Sequence, residues 1–225
     1  HHFQYFNIQS LDIIQNPRSA EETVAFQRAV GNSPLRIWEL TNTRYLLGLA
    51  STIEILNEKF DLQLRRFRLH TGFDLSQERA DSPILVRTNS TGPYGILEFA
   101  GALPRVKLYP RWEISTNGAA TLARLADPRF EPAQTVLVGS ELPAPPAAGA
   151  TNQNGGVVEF SHYSPKRIQL KAKAEVPSVL LINDKFDPHW RVSVDGRPET
   201  LLRCNFIMRG VFLQPGEHQV EFRFQ

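Results

Sequence analysis

The stretch Trp190-Arg191-Val192-Ser193-Val194-Asp195-Gly196 alternates apolar and polar side chains and ends in a turn dipeptide. Alternation with a period of two is typical of a β-strand that has one buried face and one solvated face. Asp-Gly favours a tight hairpin because glycine tolerates a positive φ at little cost. This stretch therefore predicts an antiparallel strand that is followed directly by a hairpin turn.

The same alternation recurs on both sides of this strand. Residues 168–175 and 218–224 each place apolar side chains at every second position, and residues 206–213 form a further strand candidate. The continuous apolar run at 179–182 predicts a strand that is buried on both faces. Short strands with turn signals about every 8–12 residues are typical of a β-sandwich. We therefore expect an antiparallel β-sandwich domain over residues 157–225.

The chain before this domain has a different organisation, in which short helix and strand patterns are interleaved. Ser19-Ala20-Glu21-Glu22 has the form of a capping box and predicts a helix over 20–30. Residues 60–70 alternate and predict a strand with one solvated face. We expect residues 3–138 to form a mixed α/β domain, so the whole chain belongs to the α+β class. Residues 139–156, rich in Pro, Ala, Gly and Asn, predict a linker or long loop.

Composition limits the classes of partner. The 225 residues include 25 Lys and Arg against 23 Asp and Glu, a net charge of +2, which gives no reason to expect a general nucleic-acid or anionic-membrane surface. No apolar run approaches the roughly 18 residues that a membrane-spanning helix needs. His1 and His2 resemble the end of an affinity tag, and the chain lacks an initiator methionine. We interpret the sequence as a piece of a longer protein.

Two further residues are predicted to be structural. Cys204 is the sole cysteine, so no internal disulfide and no CxxC metal or redox motif is present in the sequence. It lies inside a strand pattern and is expected to be an inert buried thiol. His218 lies on the apolar face of its strand, where a lone histidine is expected to be a hydrogen-bonded core residue.

The densest group of potentially reactive side chains comprises Asp184, Asp187, His189 and Trp190. Carboxylates with an imidazole can bind a metal or act as acid and base, and an indole can stack on a sugar. Against this, Asp187 precedes a proline, which is typical of a turn where the Asp side chain caps its own backbone. Trp190 shares its face with Val192, which favours burial in the core. We retain Trp190, His189 and Asp187 as candidate glycan-binding residues and predict no catalytic, cofactor-binding or metal-binding residue.

Several segments, in order along the chain, resemble one protein family. The run Phe186 to Gly196 resembles the "YYPGW-x-x-x-VDG" segment of YfhO-like bacterial membrane proteins. The runs Asn205 to Val211 and Pro215 to Phe222 are similar to that family's "N-x-x-x-R-(A/G)-V" and "P-x-G-x-H-x-V-x-F" segments. Upstream, Leu35 to Gly48 resembles its "lnvRY" strand, and Leu103 to Arg105 its "LPRa" segment.

That family consists of polytopic envelope proteins similar to the GT-C class of lipid-phosphosugar-dependent glycosyltransferases. The resemblance implies a non-catalytic extracytoplasmic accessory region, periplasmic or on the outer face of the cytoplasmic membrane. Membrane segments outside this sequence would tether it, and its partner would be a glycan or a lipid-linked sugar. The catalytic acid of GT-C enzymes is expected in a loop between early membrane helices, so no cofactor or catalytic residue is implied here. Whether the parent is an active transferase stays open.

Two other hypotheses make different structural demands. A stand-alone secreted carbohydrate-binding or adhesion module needs Trp112, Trp190 or Tyr163 exposed on a flat or grooved surface. A hydrolase such as a glycosidase needs two carboxylates facing each other about 5–9.5 Å apart in a cleft. The sequence supplies Asp184 and Asp187 as candidates but gives no reason to pair them.

Overall fold

The computed structural model describes residues 20–145 and 155–225. Contacts divide these residues into a first unit and a second unit. The first unit spans 33–103, and the second comprises 20–32, 104–145 and 155–225. His1, His2 and Ser19 of the predicted capping box lie outside the described residues.

The described helices are short, and α2 and α4 begin at a side-chain cap. In chain order they are α1 (Glu21–Val30), α2 (Pro34–Leu40), α3 (Thr52–Ile55), which continues into a π-helical turn (Leu56–Phe60), and α4 (Gly118–Ala126). The Ser33 side chain accepts a hydrogen bond from the Arg36 backbone N–H at 3.4 Å and caps α2. Asn117 caps α4 in the same way through the Ala120 N–H at 3.0 Å. The predicted helix over 20–30 is confirmed as α1.

The first unit is built on a four-stranded antiparallel sheet. Its strands are β1 (Tyr45–Leu49), β2 (Phe67–Ser76), β3 (Leu85–Thr88) and β4 (Tyr94–Phe99), in the spatial order β1-β4-β2-β3. Phe67 and Phe99, paired in register, stack with ring centroids 4.7 Å apart. Trp38 of α2 packs edge-on against both rings, so the helical segments cover this face of the sheet.

The predicted strand over residues 60–70 is wrong in its first half. Phe60 ends the π-helical turn, Leu62 and Leu64 are exposed, and the strand begins only at Phe67. Arg66 donates from its backbone N–H and its Nε–H to the Asp61 carboxylate at 2.8 and 2.9 Å. These bonds close a turn, which the alternation of apolar residues did not reveal.

Two sheets form the second unit. Its remaining strands are β5 (Val106–Tyr109), β6 (Trp112–Ile114), β7 (Val136–Val138), β8 (Gly156–Ser164), β9 (Arg167–Ala174), β10 (Ser178–Lys185), β11 (Trp190–Val194), β12 (Arg197–Glu199), β13 (Leu202–Cys204), β14 (Met208–Leu213) and β15 (Gly216–Phe224). One sheet has the order β5-β10-β14-β13-β7-β6, and the other has the order β12-β11-β15-β9-β8. All pairings are antiparallel except that of β6 with β7.

The inner faces of the two sheets share one apolar core, as in a β-sandwich. Ile168 and Leu170 of β9 and Phe222 of β15 meet Leu180 of β10 and Val211 of β14 in this core. These are the alternate positions that the sequence pattern placed on the dry faces. The α+β class with a C-terminal antiparallel β-sandwich is therefore the observed fold.

The bounds of the units differ from the predicted domains of 3–138 and 157–225. Strand β5 pairs with β10, and β7 pairs with β13, so residues before the predicted linker belong to the same sheet as residues after it. The predicted linker 139–156 begins inside the second unit, because the Gly139 N–H donates to the Arg203 carbonyl at 2.9 Å. Its part 146–154 lies outside the described residues. Strand pairing across a long separation leaves no local trace in the sequence.

The predicted hairpin at Asp195-Gly196 is confirmed. Val194 pairs with Arg197, so only two residues connect β11 to β12. Asp195 and Gly196 have φ values of 53° and 77°. Positive φ at both central positions is the geometry of the type I′ turn that Asp-Gly favours.

Candidate functional site

The candidate site forms around Asp184, near the end of β10. The pairing of β10 with β14 shifts between Ile182 and Lys185, which marks a β-bulge. Bulges re-aim side chains relative to the regular alternation of a strand. Here the Asp184 carboxylate is largely buried and meets side chains from three other segments of the second unit.

Two arginines share this carboxylate. Arg105, just before β5, donates to Asp184 Oδ1 at 2.9 Å, and Arg209 of β14 donates to Oδ2 at 2.8 Å. The Tyr163 hydroxyl donates to Oδ2 at 3.1 Å. Arg105 also donates to the Tyr163 hydroxyl oxygen. Two guanidinium groups against one carboxylate give this group a net charge of +1. We call Arg105, Tyr163, Asp184, Trp190 and Arg209 the Asp184 cluster.

Arg209 is the buried member of the Asp184 cluster, with only 4% of its side chain exposed. Its guanidinium lies 3.9 Å from the centroid of the Trp190 ring, a cation–π contact, and it donates to the Lys185 carbonyl at 2.9 Å. Its Nε–H has no hydrogen-bond acceptor among the described residues. Burial lowers the pKa of Arg209, while Asp184 acts in the opposite direction.

Arg105 and Tyr163 are the accessible members of the cluster. The Arg105 guanidinium lies 4.1 Å from the centroid of the Tyr163 ring and covers one of its faces. Tyr163 is nevertheless 42% exposed. At this end of the sandwich the surface therefore presents a cation beside a partly exposed phenol, a pair that can contact an anionic or hydroxyl-rich ligand.

The structure buries Trp190 and leaves the other two candidate residues, Asp187 and His189, at the surface. Trp190 is 7% exposed, with Arg209 over its ring and Phe224 edge-on at 5.4 Å, so its position in the core is confirmed. Asp187 and His189 are exposed and bond to each other. Asp187 Oδ1 accepts from the His189 backbone N–H at 2.8 Å, as predicted for a turn, and this bond lowers the pKa of Asp187. Glycan binding by Trp190, His189 and Asp187 stays a prediction, and Trp190 offers no open ring face for it.

Cys204 is a buried thiol, as predicted, whereas His218 is hydrogen-bonded as predicted but only partly buried. Cys204 is fully buried, and burial raises the pKa of its thiol. His218 Nδ1 lies 2.8 Å from Asp195 Oδ2, and its Nε2 lies 2.9 Å from the Gln214 carbonyl oxygen. His218 also borders an open groove of about 700 Å³ between β8, β9 and β15, which is lined by Lys171 among others.

Sequence reasoning missed Arg105, Tyr163 and Arg209 as partners of Asp184. One signal was available, because Arg209 is a charged residue between the apolar Met208 and Val211 of the strand candidate 206–213. A charged side chain at such a position needs a partner of opposite charge. The identity of that partner depends on the pairing of β10 with β14, which the sequence alone does not specify.

Comparison with known proteins leaves the site to be interpreted from its own residues. No family model, no curated protein and no solved structure matches this chain. In the parts of the chain that the structure describes, no helix is both long and apolar enough to cross a membrane. Across those same residues, no three His, Cys, Asp or Glu side chains are grouped so that they would hold a metal ion.

Proposed function

We propose that this chain is the non-catalytic extracytoplasmic accessory region of a polytopic, GT-C-like membrane protein that takes part in glycosylating a cell-envelope glycan or polymer. In this role it positions or recognises the acceptor glycan or a lipid-linked sugar near the membrane. Membrane segments outside this sequence tether it. The order of the YfhO-like segments along the chain supports this proposal.

The observation that carries the proposal is the convergence of residues from three of those segments. Arg105, Trp190 and Arg209 come from separate resembling segments: Arg105 and Arg209 bind Asp184, and Trp190 packs against Arg209. Trp190 and Arg209 are buried, and their contacts hold strands together. Residues that define the resemblance therefore build the architecture of the domain, as expected of an accessory region whose chemistry lies elsewhere in the parent.

Topology mapping of the parent protein tests this proposal. The parent gene is expected to encode several apolar segments of about 20 residues. Alkaline phosphatase fused after residue 225 is expected to be active, because that enzyme folds only outside the cytoplasm, whereas green fluorescent protein fused there is expected to stay dark. A parent without such segments, or a fluorescent fusion with inactive phosphatase, would overturn the proposal.

The exposure of Tyr163 favours a second candidate function, a secreted carbohydrate-binding or adhesion module. Of the three aromatic residues that this alternative requires, Trp112 and Trp190 are buried and Tyr163 is 42% exposed. Aromatic rings with an open face stack on sugars, and the neighbouring Arg105 can donate to sugar hydroxyls.

A glycan array tests whether Tyr163 is the sugar-binding platform that this alternative requires. Specific binding that is lost in Tyr163→Ala and retained in Tyr45→Ala would support it. Tyr45 is a matched control because it is similarly exposed and lies in the first unit. Equal binding by both variants would exclude Tyr163 as the platform.

A further inference from the structure

Three arginines lie side by side on the outer face of the five-stranded sheet. Arg191 of β11 is directly opposite Arg223 of β15, which is directly opposite Arg167 of β9. Their chain neighbours Val192 and Phe222 point into the core, so the arginine side chains point away from it. We call Arg167, Arg191 and Arg223 the arginine row.

The arginine row is open to solvent and only partly neutralised. The Arg167 and Arg223 side chains are 47% and 61% exposed, and both bind the Glu221 carboxylate, at 2.9 and 2.7 Å. Arg191 is also exposed and donates instead to the Pro188 backbone carbonyl at 2.7 Å. Three guanidinium groups against one carboxylate give the row a local charge of +2.

Packing of the sandwich does not account for this arrangement. Like charges that are directly opposite on neighbouring strands destabilise a sheet. The solvated face needs only polar side chains, as Ser193 illustrates two residues along β11. Glu221 binds Arg167 and Arg223, but its single negative charge offsets only part of the repulsion in a row of three opposed cations.

The geometry points to the arginine row as a binding site for an oligoanion that carries at least two phosphate groups. Adjacent strands lie about 4.8 Å apart, so the row spans roughly 10 Å across β11, β15 and β9. Each guanidinium can grip a phosphate through two parallel N–H donors. A single phosphate reaches one or two of the arginines, whereas a linked series of phosphates contacts all three.

Isothermal titration calorimetry at low salt tests this site with tripolyphosphate and inorganic phosphate as probes. Tripolyphosphate is expected to bind at least about tenfold more tightly than phosphate, because its groups bind with high effective concentration. The R191Q/R223Q double variant is expected to lose roughly tenfold or more in tripolyphosphate affinity. R129Q is the matched control, because Arg129 is 88% exposed and also pairs with an aspartate. Circular dichroism checks that each variant is folded.

Glu221 supplies a test in the opposite direction. E221Q removes the competing carboxylate and is expected to tighten tripolyphosphate binding about threefold or more at low salt. The inference would be overturned if the wild-type protein bound neither tripolyphosphate nor anionic vesicles. It would also be overturned if R129Q and R191Q/R223Q lost the same affinity for tripolyphosphate. Weaker tripolyphosphate binding by folded E221Q would overturn the inference as well.

A second arm identifies the source of the phosphates. Vesicles of phosphatidylcholine, with and without phosphatidylglycerol, present phosphate groups on a lipid surface. Binding to tripolyphosphate alone supports a free ligand. Binding to the anionic vesicles alone supports a lipid surface, provided that R191Q/R223Q no longer binds those vesicles. The arginine row requires no particular location in the cell. A failed binding test would therefore leave the proposed function standing, and a failed topology test would leave the phosphate-binding site standing.

Discussion

Removal of the Asp184 carboxylate is expected to destabilise the second unit strongly. Asp184→Asn leaves Arg105 and Arg209 without a counter-charge. Water can screen Arg105, which is partly exposed, but not Arg209, whose side chain is 4% exposed. Leaving a buried charge unpaired costs about 3–5 kcal/mol. We therefore expect the free energy of unfolding of this unit to fall by about that amount.

Arg209→Met is expected to cost less, although it removes the same ion pair. Asp184 keeps its bonds to Arg105 and Tyr163, and methionine fills much of the vacated space. The variant loses the contact with Trp190, which is worth about 1–2 kcal/mol when desolvated. In D184N/R209M no buried guanidinium is left unpaired, so this double variant is expected to be at least as stable as D184N. The implied coupling energy is at least the cost of R209M, about 1–2 kcal/mol.

Urea unfolding followed by tryptophan fluorescence measures this cycle. The W38F background restricts the signal to Trp112 and Trp190, which lie in the second unit. Arg129→Gln, at an exposed ion pair, is expected to change stability by less than about 0.5 kcal/mol. A loss of under about 1 kcal/mol in D184N, or additive effects in the double variant, would show that Asp184 does not neutralise a buried charge.

Three further predictions concern the second unit. Cys204 is fully buried with a raised thiol pKa, so a thiol reagent should modify it at least about a hundredfold faster in urea than in buffer. Gly210→Ala is expected to lower the melting temperature and cost about 2 kcal/mol or more, because the new Cβ would lie 2.5 Å from the Leu180 carbonyl oxygen. Burial lowers the pKa of His218, but the bond and charge of Asp195 and the bond to the Gln214 carbonyl together outweigh it, so the net shift is upward from 6.5. The stability that this pair contributes is therefore complete below pH 6.5 and declines as pH rises through the raised value. NMR titration of His218 should show a lower pKa in Asp195→Asn, and an unchanged pKa would contradict this explanation.

The sequence predicted the strands that have one wet face and one dry face. Residues 168–174, 190–194 and 218–224 fold as expected, because burial of one face requires a period of two. The same rule failed at Phe60, Leu62 and Leu64, where apolar residues alternate in a turn that Asp61 closes. Alternation indicates a strand only where a partner surface buries its apolar face.

Strand partners were beyond prediction for a different reason. Strands β5 to β7 enter the same sheet as β10, β13 and β14 through pairings between distant residues, such as Val179 with Tyr109. The low-complexity stretch at 139–156 looked like a boundary because it has no hydrophobic period. Composition reports whether a segment can pack a core of its own, but not whether the segments on either side of it pair with each other.

The Asp184 cluster also favours one register of β14 against β10. Arg105, Asp184 and Arg209 belong to the six-stranded sheet or its border, whereas Tyr163 and Trp190 belong to the five-stranded sheet. A two-residue slip of β14 against β10 would keep the apolar face inward but would carry Arg209 away from Asp184 and leave its charge unpaired. An unpaired buried charge costs several kcal/mol, which is comparable to the net stability of a small domain. The charge pair therefore penalises registers that the apolar pattern alone would tolerate.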